Sequence, residues 1–429
     1  MKKIQTPRGT RDFLPEEMIK REFVINKIKQ VFEKYGFDPL QTPAFESWSL
    51  LSAKQGGGEE IKEDIYYFKD KAGRELGLRF DLTVPLARVI ANNPQLTKPF
   101  RRYAIGRVWR YDRPQKGRYR EFWQADVDSV GSKEMISDAE FIAIDVDVFR
   151  SLGFKNFVVR INNRKVIEGL LEICNIDKNK YDIFRILDKL EKIGLEEVKK
   201  ELNKLGIDSK KIIDFISIRG KPDKTIEKAK KILKDSKIGT EGLNELEEVI
   251  KYCKMYDIID YVEIDFSIAR GLNYYTGIVY ETNIKGFEGI GSVCSGGRYD
   301  KLVEIAGGEP IPGVGLSFGI ERIVDIMKEK NMFDSIKTKT KVFIVSVNNS
   351  VRKDCIKLVQ ELRKNGINAQ IDIMGRNIRK QLEYVDSLGI PYAIIVGPEE
   401  VKKNKYKLKD MKKGTEQELS QQNILNKLK

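Results

Sequence analysis

The sequence predicts an α+β protein that is interrupted by a helical insertion and completed by a small α/β domain. Three observations carry this reading. Residues 100–130 hold two alternating strands around a polar loop. From about residue 168 to 260 the chain turns Lys/Glu-rich, helical and poor in aromatics. The last ninety residues alternate between strand-like and helix-like runs. At 429 residues the chain is long enough for two or three domains, and 41% hydrophobic with 33% charged residues is an ordinary globular balance.

Pro15 to Tyr35 reads as an amphipathic helix, with Met18, Ile25, Ile28, Phe32 and Tyr35 at helical spacing and Gly36 as its stop. A strand-like segment follows through Pro39 and Pro43, where proline argues for an edge or an interface. Residues 76–90 lead from a short strand into a helix that starts near Thr83-Val84-Pro85, and 134–152 is helical. Val262 to Ala269 alternates apolar and polar residues as a half-buried strand does. The motif-bearing chain ends near Lys328, and a polar linker covers about 330–340. Then come strand Val342–Val347, a helix over 350–365 ending at Gly366, strand Ala369–Ile373, helix Arg376–Leu388 and strand Tyr392–Val396, a βαβαβ unit. The expected domains are a core of 1–167 with 262–329, an insertion of 168–261 and a terminal domain of 340–429.

Composition excludes several chemistries. The chain has no histidine, so no imidazole base and no His-ligated metal is available. Cys174, Cys253, Cys294 and Cys355 are scattered without a C-x-x-C pair, which suggests neither disulfides nor zinc. No protein-ligated metal site is expected. The N-terminus has no apolar run and no stretch approaches a membrane span, so a cytoplasmic protein without membrane attachment is expected. Net charge is +14, which suggests a polyanionic partner, although a solvated charged surface accounts for the charge equally well. Residues 339–429 carry 19 Lys and Arg against 10 Asp and Glu, so nine of these charges sit in the terminal piece.

Two segments concentrate polar chemistry. Arg270-Gly271-Leu272-Asn273-Tyr274-Tyr275-Thr276-Gly277 joins a guanidinium, two phenols, two glycines, an amide and a hydroxyl at the end of a strand. Such an Arg can bridge two anions, and the same residues also suit a buried Arg paired with a core carboxylate. The hairpin over 103–128 is more specific. Alternation puts Arg110 and Asp112 on one face of its first strand, and Phe122, Gln124, Asp126 and Asp128 on one face of the second. A buried face of that kind must have its polar groups satisfied, and a polar ligand can do so. The loop from Arg113 to Tyr119-Arg120 holds four cations in eight residues, Arg118 among them, which suits a triphosphate or a nucleic-acid end. The glycine-spaced runs Gly313–Arg322 and Gly291–Asp300 allow close ligand approach, but neither has the spacing of a dinucleotide-binding fingerprint. Read alone, each is equally an ordinary turn.

Together these segments resemble a class II aminoacyl-tRNA synthetase. The long N-terminal helix with the strand ending at Pro43 would be the first class motif. Arg110-Tyr111-Asp112 through Phe122-Trp123-Gln124 is similar to the second, and Gly319-Ile320-Glu321-Arg322 to the third. Arg270 through Gly277, together with Leu78-Arg79-Phe80-Asp81-Leu82-Thr83, resembles histidyl-tRNA synthetases of the archaeal or eukaryotic branch.

That resemblance implies an antiparallel sheet flanked by helices and a basic terminal domain that binds the anticodon. It implies ATP-dependent ligation of L-histidine to tRNA(His) through a histidyl-adenylate, with Mg²⁺ accompanying ATP, in a homodimer. By the same resemblance Asp81 and Thr83 hold the α-amino group with Gln124 nearby, Asp128 and Tyr275 contact the imidazole, and Tyr274 belongs to the histidine site. Arg110 binds the ATP α-phosphate, Phe122 stacks on adenine, Arg322 clamps the γ-phosphate, and Asp112 and Arg118 complete the ATP site. Arg270 reaches both the histidine carboxylate and the α-phosphate, so Arg270 and Arg110 are the expected catalytic residues. Asn273 departs from the family, which usually has Asp there. Two rivals remain: the synthetase-like regulatory subunit of ATP phosphoribosyltransferase, and a nucleic-acid-binding module without chemistry. The retained Arg110, Arg270 and Arg322 argue against the first, the carboxylate-lined strand against the second.

Overall fold

The computed structural model describes residues 4–53, 65–111, 113, 117, 119–269, 274–333 and 337–429. The chain divides into two compact units, one of residues 1–11 and 23–330, the other of 12–22 and 331–429.

In the first unit the strands in chain order are β1 (Asp38–Pro39), β2 (Phe45–Ser47), β3 (Tyr67–Lys69), β4 (Glu75–Leu78), β5 (Phe100–Trp109) and β6 (Glu121–Val130). They continue as β7 (Phe157–Asn163), β8 (Arg219–Gly220), β9 (Val262–Asp265), β10 (Ile278–Ile284), β11 (Cys294–Arg298) and β12 (Gly313–Gly319). Among the described residues nine of these form one sheet in the order β1-β5-β6-β12-β11-β10-β7-β9-β8, and β2, β4 and β3 form a small antiparallel one.

The expected antiparallel pairing holds at the centre, from β5 through β7. At the flanks the sheet is mixed, because β1 runs parallel to β5 and β7 parallel to β9. Parallel neighbours need a long crossover, and the helical segments between Asn163 and Val262 supply it. Those segments are therefore part of the sheet's topology, and their strand β8 lies antiparallel beside β9. Pro39 lies on the edge strand β1, where a missing N–H costs no ladder bond.

The first helix, Pro15–Lys34, has proline at its start, Glu16 and Glu17 in its first turn and Lys34 in its last, and Gly36 follows at φ +75°. Its apolar stripe ends in Phe32, whose ring meets Tyr103 and Phe318, each at 5.8 Å. Helix Met135–Ser151 brings Phe149 to the same Phe318, at 6.0 Å. One face of the sheet is thus closed by helices. Strand alternation turns Gly315, Ser317 and Gly319 to the other face.

The second unit holds β13 (Val342–Ser346), β14 (Ala369–Ile371), β15 (Tyr392–Val396), β16 (Lys405–Asp410) and β17 (Glu416–Ser420), in the order β14-β13-β15-β16-β17. Val342 and Ile344 pack with Val359 and Leu362 of helix Arg352–Lys364, whereas Phe343 and Val345 pack with Val385 of helix Ile378–Ser387. A parallel strand buried on both faces reads as an unbroken apolar run, and β13 does. The chain then extends the βαβαβ unit by the antiparallel pair β16–β17 and helix Gln421–Leu428.

Candidate active site

The sheet face opposite Phe318 floors a cleft of about 970 Å³. Register builds that floor. Strand β6 presents Phe122, Gln124, Asp126 and Asp128, and β12 sets Gly319, Ser317 and Gly315 beside the last three. Ser295 on β11 pairs with Ser317, Glu281 on β10 with Ser295, and Arg160 on β7 with Glu281. A polar row from Asp126 to Arg160 thereby crosses the sheet. Two glycines make this packing feasible. A Cβ on Gly296 would lie 2.0 Å from the Gly315 carbonyl oxygen, and one on Gly315 would lie 2.2 Å from Asp128 Oδ1.

One end of the cleft is acidic. The Asp128 carboxylate lies between the Arg102 guanidinium at 2.7 Å and the Tyr299 hydroxyl, which donates to Oδ1 at 2.5 Å. Arg102 is buried and also donates to the Leu82 carbonyl at 2.9 Å, tying β5 to the turn between Asp81 and Thr83. Asp81 accepts the Val84 N–H at 3.0 Å and so caps helix Thr83–Asn92. Burial pushes Asp126 up to about 7; Arg102 opposes the rise, and Asp128 and Asp81 add to it. Burial raises Asp128 too, against Arg102 and Tyr299. Tyr299 lies well above the usual phenol range, through burial and then its carboxylate neighbour. The Tyr274 and Tyr275 rings sit 4.5 Å apart, and Tyr274 is edge-on to Tyr299 at 6.0 Å. No imidazole lines the cleft, since the chain has none.

The other end is cationic. Arg110 donates from Nε to the Phe80 carbonyl at 3.0 Å, and its guanidinium stands 5.3 Å from the centre of the Phe122 ring. Arg322, in the first turn of helix Ile320–Glu329, donates to the carbonyls of Ser292 at 2.5 Å and Gly117 at 3.4 Å. The neighbouring Glu321 accepts the Trp123 N–H at 2.9 Å and so fixes this helix to β6.

Across the sheet from Asp126, on β7, Arg160 gathers Asn283 at 3.0 Å, Asp265 at 3.2 Å, Glu281 at 3.5 Å and Glu191 at 2.5 Å. Glu191 belongs to helix Leu190–Ile193, so the helical segment after β7 meets the cleft through this guanidinium. Strand β9 stops at Asp265, short of Ala269, because the Asp265 carboxylate takes the Ser267 N–H and hydroxyl at 3.0 and 2.5 Å.

Asp81, Thr83, Arg110, Phe122, Gln124, Asp128, Tyr274, Tyr275 and Arg322, named above from the sequence, all line this cleft. Arg270, Asp112, Arg118 and Asn273 lie outside the described residues. Sequence reasoning missed Arg102, Tyr299, Glu281 and Arg160, and it named Asp126 as part of a face without a role. Tyr299 was within reach, since it follows the glycines of the 291–300 run. Arg102 needed the pairing of β5 with β6, which sets it opposite Asp128.

The profile described as Histidyl-tRNA synthetase matches residues 9–323. The chain belongs to the histidyl-tRNA synthetase family. A second profile, described as Anticodon binding domain, matches residues 341–429. A family member from Pyrococcus abyssi, named histidine–tRNA ligase, is 38% identical over 430 residues, covering 99% of both chains. One of the same name from Clostridium tetani is 40% identical, covering 98% of this chain and 97% of its own. The crystal structure of histidyl-tRNA synthetase from Nostoc sp. PCC 7120 matches with a TM-score of 0.87 at 35% identity, covering 99% of both chains. The class II synthetase fold of this family, a large mixed sheet with flanking helices and a C-terminal sheet-and-helix unit, is the fold described above.

Proposed function

We infer that this member of the family activates L-histidine with ATP and transfers the histidyl group to the 3′ end of tRNA(His). The observation that carries the reading is a single cleft with carboxylates and phenols at one end and two guanidiniums beside an aromatic ring at the other. The histidine carboxylate attacks the ATP α-phosphorus, the bond to pyrophosphate breaks, and histidyl-adenylate forms. A tRNA hydroxyl then attacks the activated carbonyl and AMP leaves, with the substrate's own phosphate as the proton acceptor. Both reactants of the first step are anionic and no base is needed, so catalysis is positioning and charge neutralisation.

In this scheme Asp81, Thr83 and Gln124 receive the α-amino group, and Asp128, Tyr274 and Tyr275 surround the imidazole. Arg110 lies on the α-phosphate, Phe122 under adenine and Arg322 on the γ-phosphate, with Asp112 and Arg118 at the triphosphate. Arg270 bridges the carboxylate and the α-phosphate. Magnesium held on ATP needs only one or two protein carboxylates besides phosphate oxygens; Glu281, on the cleft floor, fits that need. When bound, the ion neutralises phosphate charge. Domains of 1–167 with 262–329, 168–261 and 340–429, a homodimer and a cytoplasmic setting belong to the same reading. Four free cysteines accord with a reducing compartment, and among the described residues no helix is long and apolar enough to cross a membrane.

ATP–pyrophosphate exchange with each of the twenty amino acids supplied singly tests the reaction. Exchange with histidine alone is expected, and it also shows that Asn273 is tolerated. A folded protein that binds histidine yet exchanges with nothing is instead a regulatory subunit of the phosphoribosyltransferase type. Exchange with a different amino acid overturns the pocket.

A further inference from the structure

At the acidic end of the cleft three carboxylates, Asp81, Asp126 and Asp128, face two guanidiniums, Arg102 and Arg79. Gln124 Oε1 and Asp126 Oδ1 are both buried without a hydrogen-bond partner of normal geometry among the described residues, and so are Arg102 Nε and Nη1 and the Ser317 hydroxyl that faces Asp126 from β12. Gln124 and Asp126 stand two residues apart on one face of β6, roughly 7 Å along the strand. Asp126 is 1% exposed. Asp128, the next residue on that face, is already held between Arg102 and Tyr299. Of the nearby guanidiniums, Arg102 pairs with Asp128, while Arg79 donates to the carbonyls of Thr42, Pro43 and Arg107. A buried acceptor without a donor is costly and is commonly completed by a ligand. The group that completes two such acceptors among three carboxylates carries several N–H bonds, no acceptor and a positive charge. A primary ammonium meets all three conditions.

We propose that Asp126 is a substrate-binding residue whose Oδ1, together with Gln124 Oε1 and the Asp81 carboxylate, receives the α-ammonium group of histidine. This rests on the reading that the cleft takes histidine, and it adds a carboxylate to that site. Asp81 can join because a carboxylate accepts several hydrogen bonds, that from the Val84 N–H among them. The charge around Asp126 agrees. Arg102 faces it from β5, Asp128 from β6, Ser317 from β12, Asp81 from the turn before helix Thr83–Asn92, and Arg79 from the end of β4. Burial holds its carboxyl up to about 7, so near neutral pH the free cleft carries it partly protonated. An arriving ammonium favours the ionised form. Binding therefore releases a proton, and histidine binds more weakly as pH falls below about 7.

Asp126→Asn keeps the side-chain volume and removes the charge. The expected result is a KM for histidine in the exchange reaction raised roughly 10- to 100-fold. Binding of 3-(imidazol-4-yl)propionate, which is histidine without its α-amino group, should be unchanged. The variant should also lose the part of the pH dependence that the wild type has below neutrality and the propionate lacks. Equal weakening of both ligands overturns the proposal in favour of an imidazole contact, and an unchanged KM leaves Asp126 a merely structural residue. Should the variant not fold, calorimetry on the wild type decides, in buffers of different ionisation enthalpy near pH 7. More protons released with histidine than with the propionate supports the proposal, and equal release refutes it. These binding measurements do not depend on turnover, so failure of histidine to support exchange is a separate result.

Discussion

Asp145 is a second buried carboxyl, on the opposite side of the sheet from the cleft. It lies within helix Met135–Ser151, where the Thr282 hydroxyl donates to Oδ2. Burial pushes it up to about 7, more than its bonds to Thr282 and Cys294 bring it down. The folded chain thus holds this proton more tightly than the unfolded chain, whose carboxyl titrates near 4. The stability it contributes is complete below that value and is lost as pH rises through about 7. In Asp145→Asn nothing ionises there, so the fall in unfolding free energy between pH 5 and pH 8 should shrink by about 1–3 kcal/mol. Urea unfolding of both proteins at the two pH values checks this; parallel pH dependence would show that Asp145 stays unprotonated, or is solvated, throughout.

At the level of elements, helices Arg164–Ile173 and Lys237–Met255 pack on glycine. A Cβ on Gly169 would come within 2.4 Å of the Gly239 Cα. Neither backbone can yield without separating the helices, so Gly169→Ala should destabilise the protein by about 1–3 kcal/mol despite alanine's better helix propensity. Thermal or denaturant melting reads the sign directly, and a stabilised variant would mean the helices can part at no cost. Legibility from the sequence also divides by element. Helices Met135–Ser151 and Thr83–Asn92 and the strands β5, β6 and β13 were readable, because each is long or sharply periodic. Strand β16 was readable in principle, since Tyr406 and Leu408 are its buried alternate residues, but its polar edge neighbour β17 carries little signal. The mixed flanks were not readable, because strand direction is settled by where a crossover returns. The cleft divides the same way. Alternation within β6 exposed one wall of polar side chains, while Arg102, Glu281 and Arg160 joined it through register between strands far apart in sequence.

Over the whole molecule, the net charge of +14 bears on the two substrates differently. A polyanion is attracted by the summed field and releases counterions, whereas histidine meets a handful of buried groups. Raising salt from about 50 to 200 mM should therefore increase the KM for tRNA in aminoacylation at least roughly tenfold. Histidine's KM in the exchange reaction should move less than about twofold, because buried pairs are little screened. Steady-state kinetics at the two salt concentrations makes the comparison, and equal sensitivity would refute this separation. The cleft without an imidazole has a practical consequence of its own. In a sample of this protein with isotope-labelled histidine, every imidazole-nitrogen resonance comes from the added amino acid, with no imidazole background from the polypeptide. The tautomer and protonation state of the bound substrate can be read directly, without editing out an imidazole signal from the host.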